Sequence, residues 1–446
     1  MAGIEQAGGR VFGCAPSAGA TDVLRKELTA TADTLQQWLV NESLQESTRG
    51  HVLVVDEAGL ISVRQMQALC RLAAANDNRL LLVGDIKQHN SVEAGDALRA
   101  LQKYANVPVA RLIEIRRQRK FDYRVAVSML AKGDAYAAFR RFDHLGAVRE
   151  IRDERDLFRA AAVDYVKTIT AGKSCLAISP VWAEIHAFTA EVRGQLKAAG
   201  ILSGAERMVP TVFPLQWTQE ERRRVHNYHA GDVLVFWRPE IGFRKGELVT
   251  VVGREDRELI VQRADGSKRF FTPRRIGGFQ VGLMRELGVA IGERLLIRAN
   301  AKEHGLKNGD IGEVAGFAED GTIRLRDGRK VSPDFRQFSH GYATTSHSAQ
   351  GRTVERGLLF MADEGIVAAD LKQAYVSNSR FRESQMIYTT DRAAAREAMQ
   401  RPGERTLATE AVEAAAGFDT SEHAAVWQRY FAPNRPGLGP SVGGSR

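Results

Sequence analysis

Cysteine is scarce in this sequence. Only Cys14, Cys70 and Cys175 occur among 446 residues, far apart and without a Cys-x-x-Cys pair. That excludes a disulfide framework or a zinc knuckle and leaves three small core residues. The ten histidines are scattered with no His-Glu-x-x-His spacing, so a metal held by protein ligands alone is not expected. Long apolar runs are missing as well. The longest, such as Leu80-Leu81-Leu82-Val83, are far too short to span a bilayer. The opening Met1-Ala2-Gly3-Ile4-Glu5-Gln6 has neither the cationic start nor the apolar core of a signal peptide, so the expected location is the cytoplasm, with no membrane partner.

What remains is ordinary for a globular chain: 44% hydrophobic and 26% charged residues, enough length for two or three cores. The net charge of +9 favours a polyanionic partner without specifying one.

Residues 1–118 alternate between strand and helix signals, the pattern of a parallel sheet with helical crossovers. Arg10 to Ala15 is an apolar run stopped by Pro16; His51 to Val55 ends in Asp56-Glu57; Arg79 to Val83 ends in Gly84-Asp85. Runs this apolar predict strands buried on both faces. Ser62-Val63-Arg64-Gln65 predicts a capped helix start, with Met66, Leu69, Cys70 and Ala73 at helical spacing behind it. Residues 119–226 read as mostly helical, with one strand at Cys175 to Ser179 and a helix from about Trp182 to Ala199 ending at Gly200.

From 227 to 338 short β-type runs alternate with Gly-Asp and Asp-Gly turns, and the pattern occurs twice. Gly231-Asp232, Gly246-Glu247 and Asp265-Gly266 punctuate one unit; Gly292-Glu293, Gly309-Asp310 and Asp327-Gly328 punctuate the other. Two small tandem β-barrels are expected there. Parallel-strand texture resumes within 339–395, at Leu358 to Met361 and Met386 to Tyr388, and 396–446 reads as a loosely held tail.

Asp56-Glu57 closes a buried strand at its carboxyl end, where open parallel sheets place ligands. An Asp there can hold magnesium and a Glu can orient a water attacking a phosphoryl group; the plain alternative is an acidic strand end capping the next helix. Gly84-Asp85-Ile86-Lys87-Gln88 follows the next strand, placing Gln88 where it could sense a terminal phosphate; alone it reads equally as a turn.

In order, these two stretches match motifs II and III of superfamily 1 helicases. Glu114-Ile115-Arg116-Arg117-Gln118 resembles motif IV, Gly341 to Thr353 motif V, Tyr375 to Arg380 motif VI, and Gly13 to Ser17 motif Ia. The chain resembles RecD-like superfamily 1 DNA helicases over roughly residues 8–395, and most closely the helicase half of conjugative relaxases. Asn308 to Val314 leading to His340 to Thr345 carries that finer likeness.

The resemblance implies an α/β fold of two RecA-like parallel-sheet P-loop NTPase domains. The first would be truncated at its amino end, and the second would be split around the two barrels. It implies ATP and magnesium as ligands, with single-stranded DNA as partner and 5′→3′ movement. It assigns Asp56 to magnesium, Glu57 to the attacking water, Arg117 and Arg380 to transition-state charge, and Gly84, Asp85, Gln88, Gln350 and Gly351 to the nucleotide. Gln350 couples the two sites, and Pro16, Ser17, Thr345 and His347 meet DNA. Trp182, Trp217, Trp237 and Trp427 could stack on bases, but core packing is the expected role.

One part is not found. No Gly-x-x-x-x-Gly-Lys-[Ser/Thr] loop precedes Gly13, and Gly172-Lys173-Ser174 carries Lys167 where the first glycine belongs and follows a helix. Asp56 thus lacks its hydroxyl co-ligand, and ATP and magnesium are expected to bind weakly or not at all. A fragment, a split gene whose partner (an upstream segment or a relaxase) supplies the loop, and a decayed remnant all fit. So does the alternative of a DNA-binding module without turnover.

Overall fold

A computed structural model describes residues 9–28, 31–91, 95–215, 217–274 and 277–403, together with Gln6, Leu407 and Glu410. Trp427 and most of the 396–446 tail lie outside the described residues.

The first sheet joins β1 (Val11–Ala15), β2 (Ala32–Thr34), β3 (Val52–Val55) and β4 (Arg79–Leu82) in the order β2-β1-β3-β4, all parallel. The helix Val63–Ala75 crosses from β3 to β4. Its Ser62 and Gln65 form the reciprocal cap the sequence predicts, and it buries Met66, Leu69 and Ala73. β1 and β3 are buried as expected. β4 is not: it lies at the sheet edge, with Leu81 50% and Val83 42% exposed. Apolar content predicted burial on both faces, but no described strand or helix covers that side.

The second parallel sheet begins with β5 (Val148–Glu150) and β6 (Cys175–Ile178). The helix Trp182–Ala198 follows β6 and ends before Gly200, whose φ of 69° turns the chain without a Cβ penalty.

The chain then enters an antiparallel sheet of β7 (Ser203–Pro214), β8 (Asp232–Phe236), β9 (Leu248–Glu255), β10 (Glu258–Gln262), β11 (Lys268–Phe271) and β12 (Phe279–Ile291), in the order β11-β10-β9-β8-β12-β7. β5 and β7 are strands within a stretch that reads as mostly helical. Pro210 and Pro214 disguise β7, and its place at the sheet edge is what lets it tolerate them. A second antiparallel sheet follows: β13 (Arg294–Ile297), β14 (Ile311–Phe317), β15 (Ile323–Leu325), β16 (Lys330–Val331) and β17 (Phe338–His340), in the order β16-β15-β14-β13-β17. Each sheet folds around its own core, one containing Leu234, Phe236, Val249 and Phe279, the other Leu295, Val314, Ile323 and Phe338. Both strand orders are open-ended among the described residues, so they are antiparallel sheets rather than demonstrated closed barrels.

The chain returns to the second parallel sheet with β18 (Ala343–Thr344), β19 (Val354–Met361) and β20 (Phe381–Thr389), giving β18-β6-β19-β20-β5. Two all-β units are therefore inserted between β6 and β18, adjacent strands of one sheet. The fold is α/β with two parallel sheets and two antiparallel sheets between strands of the second. Among the described residues no helix is long and apolar enough to cross a membrane, and no cluster of His, Cys, Asp and Glu could hold a metal by itself.

Candidate functional site

The carboxyl ends of β1, β3 and β4 are tied together by backbone. Asp56 N–H donates to Cys14 O at 2.9 Å and Ala58 N–H to Val83 O at 2.8 Å. This fixes Asp56 and Glu57 at the carboxyl end of an interior strand, with the Asp56 carboxylate accepting from Glu57 N–H at 2.8 Å. Glu57 takes a left-handed conformation, φ 51°, before the single 3₁₀ turn Ala58–Leu60. Such a backbone is uncommon for a residue with a side chain and is held here by its neighbours. Gly84 packs directly on this turn; a Cβ there would stand 3.0 Å from Gly59 N and 3.1 Å from Ala58 N. Asp85 organises the next loop, accepting from Lys87 N–H at 2.9 Å and from Gln88 Nε2 at 3.3 Å.

The other wall comes from the far end of the chain. Gln350, at the end of the short helix Ser346–Ala349, donates through Nε2 to Glu57 Oε2 at 2.8 Å. Gly351 follows at φ 79°, turning the chain away toward β19. Arg380 lies between the helix Leu371–Ser377 and β20 and is only 2% exposed. Its Nη2 donates to Gln88 Oε1 at 3.1 Å and its Nε to Val376 O at 3.1 Å. Arg117 donates through Nη1 to Ser379 O at 2.9 Å, and Gln118 bonds Ser379 O and Phe381 O. The candidates Glu57, Gln88, Arg117, Gln350 and Arg380 thus converge on one cleft between the two parallel sheets, with Asp56 and Asp85 on its first wall.

The charges in the cleft are strained in opposite senses. Burial raises the Glu57 carboxyl above its usual range, against the Gln350 hydrogen bond, and the Asp56 charge adds to the rise. Burial and, after it, the nearby Arg117 cation lower the Arg380 guanidinium to about 10, against the opposing Glu57 and Asp85 charges. Neither arginine has a carboxylate within ion-pair distance among the described residues, so the pair lacks the close anion that buried guanidinium groups normally require. A carboxylate, two guanidiniums without a close anion and an amide are the kinds of group whose chemistry suits a phosphoryl group. Asp56 presents the hard oxygen donors that magnesium prefers.

The nucleic-acid candidates are more dispersed. Pro16 and Ser17 follow β1, where the Ser17 hydroxyl accepts from Ala20 N–H at 3.2 Å and starts the helix Ala18–Leu28. Thr345 precedes the helix Ser346–Ala349. His347 stacks on His89, ring centroids 3.7 Å apart, and His89 Nε2 lies 2.8 Å from Ser346 Oγ. His89 went unnoticed in the sequence, although it directly follows Gln88. Burial pushes its pKa down to about 2, so it is a neutral ring. Lys372, which donates to Asn90 Oδ1 at 2.7 Å, adds a second buried polar tie between the two walls and carries no motif signal. The expectation of core packing fails for Trp237, which is 53% exposed with Arg238 over its ring at 5.0 Å. It fits Trp217, which packs partly buried against the first antiparallel core.

A family model described as an AAA domain matches residues 1–153. The probable conjugal transfer protein TraA of Sinorhizobium fredii is 24% identical over 393 residues, covering 86% of this chain and 29% of the relative. The conjugal transfer protein TraA of Agrobacterium fabrum is 26% identical with the same coverage of both. The chain therefore spans 29% of the length of these relatives. Among solved structures, a Bacteroides Pif1 bound to single-stranded DNA superposes with a TM-score of 0.39 at 13% identity, over 93% of this chain and 89% of that one.

Proposed function

We propose that the chain, which is similar to conjugal transfer proteins TraA over 86% of its length, is a superfamily 1 helicase-type protein and the motor segment of a conjugative DNA-transfer protein. In this reading the cleft takes ATP, and the chain moves along single-stranded DNA in the 5′→3′ direction.

One observation carries it: two hydrogen bonds join the walls, Gln350 to Glu57 at 2.8 Å and Arg380 to Gln88 at 3.1 Å, across nearly three hundred residues of sequence. Glu57 would orient the attacking water, and its raised pKa suits a group that must accept a proton. Arg380 and Arg117 would face the charge that develops on the transferring phosphoryl group. Gln88, tied to Arg380, would register the terminal phosphate, and Gln350 would pass its presence to Thr345 and His347 a few residues away. Asp56 would hold magnesium, which supplies charge neutralisation when bound. DNA would follow the carboxyl ends of the strands, past Pro16 and Ser17 on one wall and Thr345 and His347 on the other.

Within these 446 residues no phosphate-loop pattern precedes β1. By itself this polypeptide would then hydrolyse ATP negligibly and act as a DNA-binding module, with a relaxase or another polypeptide segment supplying the loop. Phosphate release with and without oligonucleotide, beside titrations of labelled oligothymidylate and a fluorescent ATP analogue, tests both readings. Salt-dependent DNA binding with background hydrolysis is expected. DNA-stimulated hydrolysis abolished by Glu57→Gln would overturn the need for a supplied loop, and failure to bind either ligand would overturn the motor assignment.

A further inference from the structure

Away from the cleft, four elements bring aromatic rings and unpaired cations to one place. Trp182 is the first residue of the helix Trp182–Ala198, Phe213 lies on β7, Arg285 on β12, and Arg298 directly follows β13. Arg298 lies over the Trp182 ring at 4.7 Å, and Arg285 over the Phe213 ring at 4.5 Å. The two aromatic side chains meet edge to face at 6.0 Å, and the His186 ring stands 5.9 Å from Trp182 and 5.5 Å from Phe213.

Three features of this cluster are unexplained by packing. No carboxylate pairs with Arg285 or Arg298 among the described residues, although burial lowers the Arg298 pKa, and burial followed by both cations lowers that of His186. The Trp182 Nε1 donor is buried without an acceptor. The helix that Trp182 opens has no side-chain cap at its amino end. Arg285 is exposed, but the half-buried Arg298 and the buried Trp182 Nε1 are a charge and a donor left without a partner, a cost that an arriving anion with ring stacking would remove. Packing alone would favour an acidic residue here, as at Arg193 and Glu293 nearby.

The place is also continuous with the proposed DNA path. Ser179, three residues before Trp182, donates its N–H to Thr344 O at 3.2 Å, so the cluster lies off the strand end adjoining Thr345.

We propose that Trp182, Phe213, Arg285 and Arg298 form a second single-stranded nucleic-acid subsite, in which a base lies over the arginine–aromatic layer and flanking phosphates pair with the two guanidiniums. The inference rests on the nucleic-acid part of the proposed function. It adds a contact at the junction between the second parallel sheet and the inserted antiparallel sheets, joining both to one strand of DNA.

The test is titration of the full 446-residue chain with labelled oligothymidylate at several salt concentrations, nucleotide absent. Arg298→Gln is expected to lower the slope of log affinity against log salt by roughly 0.7, the value for one lost phosphate contact on a single strand. Trp182→Ala is expected to weaken binding about ten-fold with the slope unchanged, and Trp182→Phe to recover most of it. Thermal midpoints are read alongside. Wild-type affinity and slope in both Arg298→Gln and Trp182→Ala would overturn the subsite. So would weakened binding that only follows a lowered midpoint, with Trp182→Phe no better than Trp182→Ala. A wild-type chain that binds no oligonucleotide would instead overturn the nucleic-acid reading itself, and the subsite with it.

Discussion

Gln350 donates a hydrogen bond of 2.8 Å to the Glu57 carboxylate, joining residues 293 positions apart in the chain. The bond stabilises the charged form of Glu57, opposing the burial that raises its pKa. Replacing Gln350 with Leu removes the opposing contribution, so Glu57 should titrate higher still. Carbon-13 chemical shifts of the Glu57 carboxyl across acid pH would report this, and an unchanged or lower midpoint would show that the bond does not form in solution.

Arg380 is held at 2% exposure beside Arg117 without a carboxylate partner. An anion in the cleft should therefore stabilise the fold, so ATP with magnesium should raise the melting temperature only at concentrations high enough to offset the weak binding expected without a phosphate loop. Arg380→Met is expected to remove that rise. Wherever a phosphate loop is supplied and hydrolysis is measurable, the same change should slow it by about 10³–10⁵. A ligand-induced rise that survives in Arg380→Met would place the anion elsewhere.

Gly84 has no room for a methyl group, because its Cβ would meet the backbone nitrogens of Gly59 and Ala58 at 3.0 and 3.1 Å. Backbone cannot rotate aside as a side chain can. Gly84→Ala should cost about 1–3 kcal/mol of stability in urea unfolding and disturb the Glu57 turn. A neutral result would mean that the turn relaxes freely.

Glu184 is a buried acid whose pKa is raised to about 7, chiefly by burial. Its Oε1 accepts from Ala362 N–H at 2.9 Å and Gly365 N–H at 2.7 Å, and its Oε2 bonds Ser179 Oγ at 2.6 Å. With the folded pKa above the unfolded value of 4.5, the contribution is complete below the unfolded pKa and is lost as pH rises through about 7. The slope can reach about 1.4 kcal/mol per pH unit for one proton. Glu184→Gln mimics the protonated acid, so it should flatten this dependence and leave the variant the more stable protein above pH 7. Parallel pH profiles in both proteins would contradict the raised pKa.

Arg193 donates to the fully buried Glu293 carboxylate at 2.9 and 3.1 Å, while Tyr342 donates to its other oxygen at 2.6 Å. This network ties the helix Trp182–Ala198 to the turn between the two antiparallel sheets. Arg193→Ala should cost about 3–5 kcal/mol, because it strands a buried charge. The double change Arg193→Met with Glu293→Leu should cost less than Arg193→Ala alone, and equal losses would mean that packing rather than charge dominates.

Local patterns in the chain determined a good deal. The apolar runs ending in Asp56-Glu57 and Gly84-Asp85 became strands, the Ser62–Gln65 pair became a helix cap, and the duplicated turn punctuation after Gly231 fell in two antiparallel sheets, without showing the closed barrels expected of it; each of these local features depends on neighbours a few residues away. The residues of the cleft were legible for the same reason: short polar motifs stood at strand ends where parallel sheets bind ligands. Tertiary structure alone decided the rest. It placed Leu81 and Val83 at an open edge, turned the proline-bearing stretch from Ser203 to Pro214 into an edge strand, and left Trp237 exposed. It set His89 against His347, Lys372 against Asn90, and Trp182 beneath Arg298. Sequence carries periodicity and turn chemistry, which act within a few residues. Which surfaces are covered, and which cations are left without a partner, depends on segments hundreds of residues apart meeting in space.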